Sequence, residues 1–85
     1  MGLRGFSMPD DLFFLCILHN IGATSSDRSL TLEEIMRWTS MEAGRIKSNI
    51  EKLIQANYVQ MVSAGGVEKY QVTANGIRKV LSIYS

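Results

Sequence analysis

The 85 residues predict a mainly helical α+β fold, three helices followed by a small β-hairpin and a last helix. Three observations predict it. Thr31 and Glu34 have the spacing of a capping box, and Thr39 and Glu42 repeat it eight residues later, so one helix stops and another starts within a few residues. Ile46, Ile50, Leu53 and Ile54 then form one apolar stripe at helical spacing. Last, two β-prone runs flank Ala64-Gly65-Gly66, the pattern of a glycine-turned hairpin.

The elements follow in chain order. Residues 1–8 read as a loose arm. Pro9-Asp10-Asp11 starts a first helix over 9–22, since proline suits a first turn and acids favour the positive end of the helix dipole. Residues 12–18 are apolar on every side, more than one small core needs, and Asn20-Ile21-Gly22 closes the helix with Gly22 left-handed. A polar loop spans 23–29. The second helix covers 31–39 with Leu32, Ile35 and Met36 inward. The third covers 42–57, and Asn57 is its left-handed stop. The hairpin occupies 58–73. Thr73 caps a last helix over 74–84 with Ile77, Val80 and Leu81 inward.

Length and composition bound the function. Eighty-five residues make one small domain. An apolar share of 46% with 20% charged residues is that of a folding chain. The single cysteine, Cys16, cannot form an intramolecular disulfide and reads as core, which fits a reducing cytoplasm. The apolar run 12–18 is too short to span a bilayer and follows acids, not a basic secretory start, so no membrane partner is expected. Net charge is only +1, but its distribution is uneven. Residues 1–44 carry three arginines against six acids, a net −3; residues 45–85 carry six cations against two acids, a net +4. The positive half holds the third helix and the hairpin, which points to an acidic partner.

Around the third helix the residues resemble the winged helix-turn-helix domains of bacterial and archaeal regulators of the MarR, ArsR and PadR type. Leu30-Thr31, Glu34-Ile35, Leu53, Ala56 and Val59 match their L-T-x-x-E-I and L-x-x-A-G-h-V patterns. Tyr70-Gln71-Val72-Thr73-Ala74-Asn75-Gly76 is similar to Y-x-L-T-x-x-G, and the resemblance extends from Leu30 to about Tyr84. Four positions depart from it. Met36 replaces a preferred alanine, Ser40 a turn glycine, Glu42 a capping serine and Asn57 a glycine. A serine tolerates a left-handed position less well than glycine. Glu42 suits the helix dipole but repels a nearby phosphate.

The resemblance implies a DNA-binding transcriptional regulator with double-stranded DNA as partner, the third helix in the major groove and the hairpin as a wing on the backbone. A homodimer through the first and last helices is expected from their surplus apolar surface. The expected DNA-binding residues are Arg45, Lys47, Ser48, Asn49, Lys52 and Lys69. Arg45 can bond bidentately to guanine and Asn49 to adenine. Ser48 suits a phosphate or a base, and Lys47 and Lys52 suit phosphates, which orient the protein without reading sequence. Lys69 lies near the hairpin tip. The plain alternative for each is a solvated surface residue. Trp38, at an apolar position of the resemblance, is expected in the core. His19 has no partner in sequence for a metal site. Glu33 and Glu34 point to different faces and read as helix-start acids, not a catalytic pair. No enzyme, cofactor or metal is expected. An alternative function is a protein–protein interaction module within a larger complex.

Overall fold

The computed structural model describes residues 8–84. The element order is α1 (Asp10–Asn20), a 3-10 turn (Ser26–Arg28), α2 (Leu32–Thr39), α3 (Ala43–Gln55), β1 (Val59–Ala64), β2 (Val67–Val72) and α4 (Ala74–Tyr84). The order and types of the expected elements are observed: four helices and one antiparallel hairpin, the winged-helix arrangement. The expected arm lies outside the described residues except for Met8, which packs against the core.

Local chemistry sets the helix ends. Pro9 is the N-cap of α1, and Gly22 beyond its far end has φ +91°, the left-handed conformation expected of it. At α2 the capping box is complete: Glu34 N donates to Thr31 Oγ1 at 3.1 Å, and Thr31 N to Glu34 Oε1 at 2.9 Å. The second expected box does not form. Thr39 Oγ1 instead donates to the Ile35 carbonyl at 2.8 Å and accepts from Met41 N at 3.2 Å, while Glu42 caps α3 with no side-chain hydrogen bond. Thr39 is still inside α2, so its hydroxyl is occupied with that helix's end before α3 begins.

The core gathers Phe14, Leu15, Cys16 and Leu18 from α1, Ile35 from α2, Ile46, Ile50 and Leu53 from α3, Val59 and Val72 from the hairpin, and Val80 from α4. Three expected core residues lie elsewhere. Trp38 is 64% exposed, because helical spacing sets it about 110° round from the Leu32–Ile35–Met36 face of a two-turn helix. Ile54 is exposed on α3, one step beyond a stripe that Asn49 completes with Ile46, Ile50 and Leu53. Leu81 is exposed on α4, whose inward face runs through Gly76, Ile77, Val80 and Ile83.

The hairpin turns on Gly65 and Gly66, both at positive φ (60° and 79°), the two-residue turn whose twist matches antiparallel strands. Leu30 adds a short third rung by exchanging backbone hydrogen bonds with Tyr70 at 3.0 and 2.8 Å. The expected polar loop packs more closely than a loop reading implies. Ala23 and Ser29 are buried, Val72 N donates to the Ala23 carbonyl at 2.7 Å, and Ser26 Oγ donates to Gln71 Oε1 at 3.0 Å.

One junction joins α3, the hairpin and α4. The Tyr58 carbonyl accepts from Thr73 N at 2.9 Å, and Thr73 Oγ1 donates to the Asn57 carbonyl at 2.7 Å and accepts from Gly76 N at 3.0 Å. Gly76 packs directly on this carbonyl. A β-carbon there would overlap the Tyr58 oxygen and come within 2.6 Å of Val72 Cγ1. The motif glycine is therefore a matter of space, not of left-handed backbone.

Two predictions result. Gly76→Ala, ordinarily stabilising in a helix, here destabilises by roughly 2 kcal/mol or more through overpacking, measured by urea unfolding. The second concerns Glu34, whose carboxyl is held below its ordinary value of 4.5 by the Thr31 backbone N–H first, with Lys69, the Thr31 hydroxyl and Arg37 adding, while partial burial opposes them. A lowered folded value means the box stabilises fully above pH 4.5 and loses its contribution as pH falls through 4.5 and the lower folded value. The stability gap between wild type and Glu34→Gln should be constant near neutrality and shrink on acidification.

Candidate nucleic-acid interface

The third helix presents one long face to solvent. With Ile46, Asn49, Ile50 and Leu53 inward, steps of about 100° per residue set Gly44, Ser48, Glu51 and Gln55 along the centre of the outward face. Arg45 and Lys52 lie on one flank and Lys47 on the other, all exposed. The cations therefore border the face while a carboxylate, Glu51, occupies its middle.

The expected residues fare differently. Arg45, Lys47, Ser48 and Lys52 are all exposed on α3, with Lys47 on the flank opposite Arg45 and Lys52. Arg45 is not solitary: its Nη2 lies 3.7 Å from Asp10 Oδ2 at the start of α1, with side chains 58% and 70% exposed. Lys47 borders an open groove walled by Leu32 and Glu33 of α2 and by Gly66, Val67 and Tyr70 of the hairpin, so helix and wing face a common space. Asn49 departs from expectation. It is 4% exposed, and its Nδ2 donates to the Arg45 carbonyl at 3.1 Å, one turn back. That position takes the amide off the outward face of α3. Lys69, half-buried and paired in register with Val62, stands back from the Gly65-Gly66 tip; its charge acts on the Glu34 carboxylate.

Asp10 was not legible as part of this region. It is 35 residues from Arg45 in sequence, and only the packing of α1 on α3 brings the two together. The outward Gln55 follows from helical spacing alone. Other chemistry is sparse. Among the described residues no three His, Cys, Asp or Glu side chains are grouped to hold a metal ion, and no helix is long and apolar enough to cross a membrane. Glu33 is exposed while Glu34 is committed to the capping box.

The sequence profile of the winged helix DNA-binding domain family matches residues 15–76. The chain belongs to that family. Solved winged-helix structures superpose on it along most of its length. A DNA-binding TubR fragment from Clostridium botulinum, known from its solution structure, has a TM-score of 0.75 at 22% identity over 91% of this chain and 96% of its own. Bordetella bronchiseptica BpsR, whose DNA binding is regulated by 6-hydroxynicotinic acid, gives 0.72 at 15% identity over 96% of this chain. A cysteine-to-serine mutant of MarR from E. coli gives 0.73 at 13% identity over 96%. This winged-helix chain spans 57% of that BpsR chain and 59% of that MarR chain. No curated protein sequence matches it.

The turn that sets α3 against α2 contains a strained residue. Ser40 has φ 59° and ψ 23°, left-handed, at the position where the resembling domains carry glycine. A non-glycine residue in that conformation costs about 1 kcal/mol. Ser40→Gly should therefore raise stability by roughly 0.5–1 kcal/mol in thermal or urea unfolding, with no change in fold.

Proposed function

We propose that this chain is a DNA-binding transcriptional regulator that inserts α3 into the major groove, lays its wing along the backbone and acts as a homodimer in the cytoplasm. The observation that carries the reading is the outward face of α3 in a chain of the winged helix DNA-binding domain family. It is clear of the protein's own core and is flanked by Arg45, Lys47 and Lys52. Arg45 reads a guanine edge through its fork of donors. Lys47 and Lys52 hold phosphates on either side, Ser48 contacts a phosphate or base from the centre, and Lys69 serves the wing. Asn49 has a supporting role, tying its own turn to the Arg45 carbonyl. Exposed Phe13 on α1 and Tyr84 on α4 provide apolar surface for a second copy. Two recognition helices would then meet successive major grooves about one helical turn apart. The resemblance of the fold to TubR, BpsR and MarR supports the same reading.

A second reading, a protein-interaction module, is favoured by Trp38, large and exposed on α2, and by Glu51 at the centre of the α3 face. One measurement separates them. Duplex affinity should fall with salt at a log–log slope of about −0.9 per phosphate neutralised, so three or four cations per protomer give about −3 for a monomer and up to about −7 for a dimer. Arg45→Ala should relax base preference at one position of a selected site, worth about 1–3 kcal/mol there. Failure to bind any duplex, or binding insensitive to salt, overturns the proposal in favour of the protein-interaction reading.

A further inference from the structure

Asp10 is an acid on the margin of a face meant for a polyanion. Its carboxylate lies 3.7 Å from the Arg45 guanidinium, both side chains are largely exposed, and the pair joins α1 to the first turn of α3. Asp10 needs no such partner for its own sake. As the first residue of α1 it already sits at the positive end of the helix dipole. The pair is also too exposed to add much stability. Its consequence falls on Arg45.

We infer that Asp10 is a specificity-determining residue that discounts phosphate contacts by Arg45 while leaving its base contact intact. This rests on the DNA-binding reading above. A phosphate approaching Arg45 meets the Asp10 charge and must compete with it for the same cation. A guanine edge offers O6 and N7, which are uncharged acceptors and meet a smaller penalty than a phosphate does. Arginine has five donors, so the guanidinium can keep one towards Asp10 and present the others to a base. The carboxylate thereby biases Arg45 towards sequence readout and suppresses binding to arbitrary DNA, a repulsive element that acts against the wrong partner.

The test compares wild type and Asp10→Asn on two probes, a random-sequence duplex and a duplex selected from a random pool by the wild-type protein. Asp10→Asn should tighten the random duplex about two- to fivefold, the range of an exposed ion pair, and steepen its salt slope by about 0.9. Affinity for the selected duplex should change less than about twofold, so discrimination narrows. The effect should vanish when Arg45 is already alanine, and Asp11→Asn, which removes the same charge from the same turn, should leave discrimination unchanged. An unchanged random-duplex affinity overturns the inference. So does equal tightening on both probes, persistence of the effect without Arg45, or an equal effect of Asp11→Asn. If wild type binds no duplex at all, the DNA-binding reading fails first and this inference falls with it, an outcome distinct from binding that Asp10→Asn leaves untouched.

Discussion

The backbone carbonyl of Tyr58 is the point on which the rest of the molecule turns. It lies just past the left-handed stop at Asn57, where the chain leaves α3 and enters the hairpin. By accepting from Thr73 N it closes the base of the hairpin. By lying flat against Gly76 it sets the distance at which α4 begins. The Thr73 hydroxyl completes the arrangement, bonding the Asn57 carbonyl on one side and the first turn of α4 on the other. One small volume thus sets the relative position of α3, the hairpin and α4. Two carbonyls that the turn would otherwise leave unpaired are satisfied within it.

That economy explains how a domain this small holds α3 rigidly enough to present a face. The inward side of α3 is Ile46, Ile50 and Leu53 against α1 and the hairpin, with Asn49 satisfied inside its own helix. The outward side can then be polar without cost to the core. The cations stand at its borders, while Ser48, Glu51 and Gln55 occupy its centre. A face so arranged carries its positive charge at the borders and a carboxylate, Glu51, at the centre. This accords with a net charge near zero and a wing whose only charges, Glu68 and Lys69, cancel.

The fold was largely legible in the sequence because its signals are local. The Thr31–Glu34 box, the left-handed Gly22 and Asn57, the glycine pair of the hairpin and the Thr73 cap each depend on a few neighbouring residues, and each is present. The misreadings have other causes. Trp38 was placed in the core by resemblance, against its own helical spacing, which turns it away from the inward face. Ile54 and Leu81 lie on the edge of an inward stripe, and only the neighbouring elements decide whether anything covers that edge. The Thr39–Glu42 spacing was ambiguous in the same way, since a threonine at a helix end can serve the helix behind it or the one ahead. On α3, spacing identified the outward side but not the burial of Asn49 or the approach of Asp10, the second of which depends on how α1 packs.

The exposure of Trp38 has a practical side. It is the chain's one tryptophan, and its indole already stands mostly in water in the folded state. Its emission is consequently a poor gauge of unfolding, since the solvent around it changes little when the core comes apart. The same ring, one residue before the end of α2 and beside the turn into α3, is a built-in optical label for whatever comes to rest on that shoulder of the molecule.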